Sequence, residues 1–428
     1  MNQLKSAHDT RDVFHGKNIF KVWETEEERW IQETQNSDYD FPALEHSKYQ
    51  NVERDKDLNS CIDASSPIIC QNLTWSVDGT SLVAVFNDFG VRQYLVPEEL
   101  ESTLIPFKRF FRSQSIMESC VHPQYSLFNG NEGVNVMLAS SRDLPIQLFS
   151  LSPHATDHAS LFNYSVMNAE NERYETIFAL SFCQDSVFLA GTERNKFLAY
   201  DINRKNPIWC GVGNQFGKKS SGKVMHRSIV SCFDETSDPQ NYPSMRYGGS
   251  YRCDIFGVDT RTKGPLLLAD KEALGIRDGS CGIVQILSSL NKHYLYVVKR
   301  NSNTIDILDV RNGFSRVNEF ILPFSIKKQK FKATLDPVNG LMIGTASGHI
   351  LQWSSGMVEF GGLSSRTNEE FLTESKPSST FATSYNTSKI NILTSNPSDP
   401  RFVAASYSPD KHDDLDCEAN SGLSIFDL

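Results

Sequence analysis

The sequence lacks the features that would assign it to a membrane, secreted or zinc-binding class. Its 428 residues contain no apolar run near the roughly 18–20 that cross a bilayer. The first residues, MNQLKSAHDT, lack the apolar core of a secretory signal. The nine cysteines are an odd number without a C-x-x-C pair, which argues against a disulfide framework and a zinc ribbon. We therefore expect a reduced, intracellular protein that does not insert into membranes.

Motifs for catalysis are also scarce. There is no G-x-S-x-G and no H-E-x-x-H. Only Gly217–Val224 approaches a phosphate-binding loop, but Val224 replaces the hydroxyl residue, and the following VMHRSIVSCF predicts a strand where a helix is required. Four acidic residues that follow predicted strands are interpreted as turn formers: Asp78, Asp185, Asp234 and Asp336. We expect no enzymatic activity, no cofactor, no metal and no small-molecule substrate.

The net charge of −10 is concentrated at the two ends of the chain. Residues 1–60 carry 13 acidic and 8 basic residues, and residues 366–428 carry 10 and 5. Residues 61–365 carry 29 of each, so this body is neutral. We interpret residues 1–60 as an acidic, partly disordered N-terminal extension. The Ser/Thr-rich stretch near 361–388 is interpreted as an extended insertion in the body.

What the sequence does contain is a repeated three-strand pattern. Residues Asn72–Val96 hold three apolar runs separated by Asp-Gly and Asn-Asp-Phe-Gly turns, which is typical of an antiparallel meander. Third strands of further copies begin near residues 146, 197, 255, 305, 350 and 423. Seven copies, most of them 45–60 residues apart, predict an all-β, seven-bladed WD40-type β-propeller over residues 61–428.

Three basic clusters stand out against this neutral body. We expect each to follow the outermost strand of one blade, so that together they form a discontinuous basic ring on one rim. Lys and Arg interleaved with Phe suit single-stranded RNA, although charged loops with buried Phe side chains are an equally good explanation. The candidate RNA- or partner-binding residues are Lys108, Arg109, Arg112, Lys218, Lys219, Lys223, Arg227, Lys327, Lys328, Lys330 and Lys332.

Several longer segments resemble one fungal family. NDFGVRQYLVPEE (Asn87–Glu99), PFKRFFRSQSI (Pro106–Ile116) and YVVKRNSNTIDILD (Tyr296–Asp309) resemble the budding-yeast type of nuclear WD-repeat proteins that promote pre-mRNA splicing. More distantly, SSRDLPIQLFS resembles the animal telomerase Cajal-body WD-repeat protein, which binds small nuclear RNAs. The resemblance covers most of residues 68–428, and within it the basic segment at Lys108, Arg109 and Arg112 matches the family pattern.

The resemblance implies a nuclear protein associated with small nuclear ribonucleoproteins (snRNPs) that helps to stabilise the U1 particle on the 5′ splice site. It carries no catalytic residue. Two hypotheses remain open: a protein–protein scaffold that contacts splicing factors, and a propeller that binds small nuclear RNA directly through its basic rim. The sequence does not predict an oligomeric state.

Overall fold

The computed structural model describes the chain in segments, and almost all of its regular structure is β-strand. The described residues are 2–10, 69–87, 89–104, 106–112, 114–155, 159–168, 172–213, 228–235, 245–259, 264–276, 282–327, 329–364, 372–373, 375–385, 388–409 and 421–428. Within these segments one short α-helix, α1 (Ser355–Glu359), and two 3₁₀ turns (Glu132–Val134 and Val310–Asn312) accompany the strands. The all-β prediction is therefore confirmed.

Within the described segments the strands form six main sheets, and the eight-stranded one is divided here at its parallel β18–β22 pairing, which gives seven units named sheets A to G. Two strands, β1 (Asn2–Gln3) and β2 (Lys5–Asp9), precede sheet A, and β6 (Ser102–Thr103) lies on the chain between its third and fourth strands. Sheet A contains β3 (Cys70–Trp75), β4 (Ser81–Phe86), β5 (Gly90–Leu95) and β7 (Pro106–Phe111). Sheet B contains β8 (Ile116–Val121), β9 (Val136–Ser141), β10 (Ile146–Ser150) and β11 (Phe162–Tyr164). A separate pair, β12 (Met167–Asn168) and β13 (Arg173–Tyr174), follows.

The remaining sheets repeat this arrangement. Sheet C contains β14 (Ala179–Gln184), β15 (Val187–Gly191), β16 (Lys196–Asp201) and β17 (Trp209–Val212). Sheet D contains β18 (Val230–Glu235), β19 (Met245–Ser250), β20 (Ile255–Asp259) and β21 (Gly264–Ala269). Sheet E contains β22 (Ile283–Ser288), β23 (Tyr294–Lys299), β24 (Ser302–Asp309) and β25 (Ser315–Ile326).

The last two sheets take strands from both ends of the chain. Sheet F contains β26 (Thr334–Asp336), β27 (Gly340–Gly344), β28 (His349–Trp353), β31 (Ser379–Ala382) and β1. Sheet G contains β32 (Lys389–Ser395), β33 (Phe402–Ser408), β34 (Gly422–Asp427), β2 and β6. A further pair, β29 (Leu363–Ser364) and β30 (Leu372–Thr373), lies between β28 and β31 on the chain. All seven predicted three-strand copies therefore fall on the first three strands of separate sheets.

Local sequence explains these strands and their turns. The second strands, such as β4 (SLVAVF) and β9 (VMLASS), are buried along their whole length, because neighbouring sheets cover both faces. In the turn after β3, Gly79 adopts φ +70°, which a residue with a side chain rarely adopts. A Cβ there would lie 2.0 Å from Oδ1 of Asn396, whose Nδ2 donates to the Gly79 carbonyl at 3.0 Å. The turn thus joins sheet A to sheet G.

The core consists of seven apolar clusters, one at each junction between consecutive sheets. Each combines side chains of two neighbouring sheets, and the last junction brings sheet G back to sheet A. Representative pairs are Val85 with Met137 (A and B), Leu138 with Phe188 (B and C), Phe197 with Phe256 (C and D), Ile255 with Leu295 (D and E), Phe320 with Trp353 (E and F), Met342 with Val403 (F and G), and Leu423 with Leu82 (G and A).

First strands contact one another in the same cyclic order. Asn72 of β3 donates to the Ser119 carbonyl of β8 at 2.8 Å, and β18 and β22 pair in parallel between sheets D and E. At the closing junction Nδ2 of Asn391, in β32, donates to the Cys70 carbonyl of β3 at 2.9 Å. The contacts therefore return to the sheet from which they began.

The N-terminal residues differ from the prediction. We expected residues 1–60 to form an extension outside the body, but residues 2–10 belong to sheets F and G. β2 pairs antiparallel with β34 and parallel with β6, and β1 pairs with β31. Strand β34 would otherwise leave its backbone groups unpaired at a sheet edge, and β2 satisfies them. Residues 11–60 lie outside the described part of the chain.

The Ser/Thr-rich insertion also contains regular structure. β31 (Ser379–Ala382), inside the predicted 361–388 insertion, is the fourth strand of sheet F and pairs with β28. Directly before this stretch, helix α1 buries its Met357 and Val358 side chains against the E–F cluster. Part of this stretch is therefore an element of the fold rather than a connection.

Candidate functional site

Two cavities meet where the first strands of the sheets converge. The first has a volume of about 1240 Å³ and is lined by the beginnings of β3 and β8 and by residues at the end of β25 and directly after it, among them Phe324, Lys327 and Lys330. The second has a volume of about 740 Å³ and takes its lining from all seven sheets. Both are lined by Asn72, Glu118, Ser119 and Lys330, so they adjoin at these residues, and we refer to the two cavities together as the channel.

Four charged side chains line the second cavity near or at its junction with the first, and we call them the channel cluster: Glu118, Glu235, Lys330 and Lys332. Nζ of Lys330 lies 2.8 Å from Oε2 of Glu118, and Nζ of Lys332 lies 3.3 Å from Oε1 of Glu235. Lys332 also donates to Oδ1 of Asn72 at 3.2 Å. Each charge in the cluster therefore has a partner of opposite sign on a different sheet or connection.

The surroundings of Lys332 and Glu118 favour the charged forms of these two side chains. Burial opposes the positive charge of Lys332, but Glu235 and Glu118 outweigh burial and raise the pKa of this ammonium group. Burial likewise opposes the negative charge of Glu118, whereas Lys330 and Lys332 lower the pKa of that carboxyl. Opposite charges nearby therefore stabilise both ions.

The first predicted basic cluster, Lys108, Arg109 and Arg112, does not lie in a connection between blades as expected. Residues 106–111 form β7, the fourth strand of sheet A, and not a connection after the outermost strand. Lys108 is only 6% exposed, and its Nζ donates to the Ser152 carbonyl at 2.7 Å. A lysine held in this way does not face a rim, so the predicted position of Lys108 on an exposed basic ring is wrong.

The two other members of that cluster, Arg109 and Arg112, lie in β7 and directly after it. Arg109 is opposite Arg92 in the register of β5 and β7. The Arg112 guanidinium donates to Oε1 of Gln147 at 2.5 Å and lies 4.4 Å from the centre of the Phe149 ring. Burial lowers the pKa of Arg112, and the aromatic contact is a cation–π interaction within sheets A and B.

The third predicted cluster is where the sequence placed it, in the connection between β25 and β26. Lys327 is exposed and lines the first cavity, whereas Lys330 and Lys332 belong to the channel cluster. Phe331 is 3% exposed and packs in the E–F core. Five predicted residues lie outside the described residues: Lys218, Lys219, Lys223, Arg227 and Lys328. The described members of the predicted ring therefore lie in different settings, in or directly after a strand of sheet A and in the connection between sheets E and F.

Sequence reasoning missed several charged residues of the channel. Arg300 and Lys389 line the first cavity, and Glu118 and Glu235 complete the channel cluster. The signal that could have found Glu118 is a charged residue inside an otherwise apolar first strand, IMESCV. Asp234 was predicted to form a turn, but its Oδ1 instead accepts a hydrogen bond from Nε of the buried Arg246 at 2.8 Å. Asp78 and Asp336 do accept turn hydrogen bonds, as predicted.

The described residues contain no group of three or more His, Cys, Asp or Glu side chains arranged to hold a metal ion. Across the same segments, no helix has the length and apolar character needed to cross a membrane.

Comparison with known proteins gives one consistent set of relatives. The chain is 39% identical to Protein SWT21 of Kluyveromyces lactis over 416 residues, which cover 96% of each protein. It is 38% identical to Protein SWT21 of Vanderwaltozyma polyspora over 97% of this chain and 96% of that protein. With Protein SWT21 of Saccharomyces cerevisiae (strain JAY291) it shares 38% identity over 79% of this chain and 96% of that protein. No family model matches the sequence. The first of these alignments is long enough to include part of residues 1–60.

Proposed function

The chain belongs to the yeast family of proteins named Protein SWT21, and from this premise we propose that it is a non-enzymatic nuclear scaffold in pre-mRNA splicing. In this role it associates with snRNPs and splicing factors and helps to stabilise the U1 particle on the 5′ splice site. The resemblance of Asn87–Glu99 and Tyr296–Asp309 to nuclear WD-repeat splicing proteins supports the proposal.

The proposed architecture is a seven-bladed WD40-type β-propeller. The cyclic order of the seven apolar clusters carries this part, because a ring of stacked sheets has one such cluster at each junction. A rigid ring of this kind offers loops on two faces to partner proteins. Its internal charges pair with each other, which is the behaviour of a structural ion-pair network.

The experiment that tests the scaffold role is recovery of U1 small nuclear RNA with the tagged full-length protein from yeast nuclear extract. We expect U1 RNA to be enriched over an unrelated RNA, and we expect splicing proteins to remain bound after ribonuclease treatment. Equal recovery of U1 and the unrelated RNA would contradict the role. Variants for this experiment should not reverse the charge of Lys108, because a buried charge reversal would unfold sheet A.

An alternative proposal is direct binding of small nuclear RNA. The exposed Lys327, together with Arg300 and Lys389 at the first cavity, favours it by placing positive charge at one mouth of the channel. RNA binding through these groups would weaken steeply as salt rises, because condensed counterions are released from the phosphates. Protein contacts through apolar loop tips would depend little on salt, so a salt titration of the U1 recovery separates the two proposals.

A further inference from the structure

Sheet B has an unusually long connection between its first and second strands. Residues 122–135 join β8 to β9, and we call them the Phe128 loop. It is the longest of the first-to-second connections that the structure describes, which in the other sheets span 76–80, 185–186, 289–293, 337–339 and 396–401. Long ordered loops on a rigid scaffold often carry binding residues.

Hydrogen bonds order the Phe128 loop. Oδ1 of Asn135 accepts from the Ser126 N–H at 3.2 Å, which ties the end of the loop to its first half. Asn131 caps the 3₁₀ turn Glu132–Val134, because its Oδ1 accepts from the Gly133 N–H at 3.1 Å. A loop that is already ordered loses little conformational entropy when a partner binds.

The side chain of Phe128 is exposed although its neighbours on the loop are packed. Tyr125 is buried and Leu127 is partly buried in the apolar cluster between sheets A and B. Phe128 is 70% exposed, the highest fraction among the large apolar side chains of the described residues. The loop therefore presents an aromatic ring to solvent, which is typical of an anchor residue for a partner.

The turn after β3 joins the Phe128 loop to a second exposed connection. In this turn the Val77 N–H donates to the Tyr125 carbonyl at 2.9 Å. The carbonyl of Thr80, in the same turn, accepts from the N–H of Val96, directly after β5, at 2.9 Å. The connection that begins there exposes Leu100 by 59%. Sheets A and B thus present two exposed apolar side chains from adjoining connections.

These connections are also acidic. Residues 76–80, 96–104 and 122–135 contain five Asp or Glu residues and no Lys or Arg. Glu101 pairs with Lys5 of β2. Three further carboxylates belong to exposed residues: Glu98, Glu99 and Glu132. Exposed carboxylates attract basic groups and repel the phosphates of RNA.

A guanidinium group is complementary to both features of this surface. It can stack on an aromatic ring in a cation–π contact and can form paired hydrogen bonds with a carboxylate. We propose that the Phe128 loop and residues 96–104 form a docking surface for an arginine-rich segment of a partner protein. One arginine of the segment stacks on Phe128 and pairs with Glu132, and others pair with Glu98 and Glu99.

This inference rests on the scaffold role and names the chemistry of the partner. Its test uses the purified full-length protein alone, so a failure of peptide binding is distinguishable from a failure of the U1 association. The probe is a fluorescein-labelled peptide of alternating Arg and Ala, measured by anisotropy. Peptides with Lys or Gln in place of Arg, and a labelled single-stranded RNA of mixed sequence, are measured in parallel. We expect the Arg peptide to bind at least about threefold more tightly than the Lys peptide, because an ammonium group lacks the planar fork of donors.

The variant that tests the surface is Phe128→Ala with Glu132→Gln. We expect it to weaken binding of the Arg peptide at least about tenfold, which corresponds to about 1.4 kcal/mol, because it removes the ring and the carboxylate together. The matched control, Phe360→Ala with Glu193→Gln, removes the same two groups at exposed positions of sheets F and C. We expect the control to stay within about twofold of the wild type, since exposed positions away from a site contribute little.

Four results would overturn the proposal: no binding of the Arg peptide by the wild type, equal binding of the Lys or Gln peptide, equal loss in the two double variants, or RNA binding that is tighter than peptide binding and is lost in Phe128→Ala. Circular dichroism melting curves check that both variants are folded. If the double variant unfolds, Phe128→Ala alone is used instead, and a loss below about threefold would also overturn the proposal.

Discussion

At the scale of single residues, the buried pair of Arg246 and Asp234 shows how charge is used inside this fold. Both side chains are almost fully buried. Arg246 donates to the Asp234 carboxylate at 2.8 Å, to the Phe182 carbonyl at 2.6 Å and to Oγ of Ser181 at 2.9 Å. One arginine therefore connects sheets C and D, and coulombic attraction to Asp234 raises its pKa against the opposing effect of burial.

Removal of this arginine should be costly. We expect Arg246→Met to lower the free energy of unfolding by about 3–5 kcal/mol, because Asp234 then remains buried without its partner. The control Arg204→Met breaks a solvent-exposed pair with Asp201 and should cost less than about 1 kcal/mol. Urea unfolding followed by circular dichroism measures both. Similar losses in the two variants would contradict the role assigned to Arg246.

Glu118 makes a pH-dependent contribution from within the channel. Its pKa is lowered in the folded state, so its contribution to stability is fully present above the unfolded value near 4.5 and is lost as pH falls through the folded pKa. We expect Glu118→Gln to cost about 1–3 kcal/mol at neutral pH and progressively less in acid. Urea unfolding from neutral pH into the acid range tests this, with Glu98→Gln, at an exposed position, as the control. A difference that stays constant over that range would contradict the expectation.

Residue-scale reasoning from sequence therefore succeeded for turns and failed for paired charges. The turn role of Asp78 was predictable because two of its partners, Ser76 and Thr80, lie within two residues of it. Lys108 was not, because its acceptor is a carbonyl 44 positions away on another sheet. Lys330 is separated from Glu118 by 212 positions. A sequence shows that such residues are charged, but only the ring shows which of them meet.

At the scale of elements, β2 is the strand on which the closing sheet depends. It pairs with β34 and β6, and Asp9 at its end accepts hydrogen bonds from the hydroxyls of Tyr385 and Tyr407. These two tyrosine rings stack with centres 3.9 Å apart. The N-terminus thus completes sheet G, although its sequence has no clear alternation of polar and apolar residues.

Deletion of residues 2–10 should therefore do more than remove a tail. We expect it to lower the melting temperature by several degrees and to cause concentration-dependent association, since β34 becomes an open edge. A synthetic peptide of residues 2–10 added in excess should partly restore the melting temperature. Lys5→Ala is the control, because its pair with Glu101 is exposed. An unchanged melting curve after the deletion would show that β2 does not close sheet G in solution.

The first three strands of each sheet were predictable from the sequence, and the fourth strands were not. Apolar runs such as Leu82–Phe86 are buried on both faces and carry a strong signal. The fourth strands are partly exposed, and β25 and β31 mix polar and apolar residues without a clear period. Strand β7, with its basic pair Lys108 and Arg109, was therefore mistaken for a connection, and its place in the predicted basic ring followed from that error.

At the scale of the whole molecule, the proposed closed ring of sheets should make unfolding cooperative. Every sheet packs on two neighbours through apolar clusters, so the loss of one sheet exposes two of the seven clusters. At about 25 cal/mol per Å² of apolar surface, such exposure is too costly for a partly open ring to be stable. A linear array of sheets would instead lose its terminal members first.

Three tryptophans report on separate parts of this ring. Trp75 lies in sheet A and donates to the Thr394 carbonyl of sheet G at 3.0 Å, Trp209 lies in sheet C, and Trp353 lies in the E–F cluster. With Trp23 and Trp30 replaced by Phe, three variants that each retain one of the reporters follow different sheets by fluorescence. In each variant we expect the midpoint of the fluorescence transition in urea to coincide with the midpoint measured by circular dichroism on the same variant. The reason is that the junctions couple every sheet to the next. In the variant that retains Trp75, a fluorescence midpoint at lower urea than the circular dichroism midpoint would contradict this expectation. It would show that the G–A junction opens first, as in an array of sheets that β2 closes only weakly.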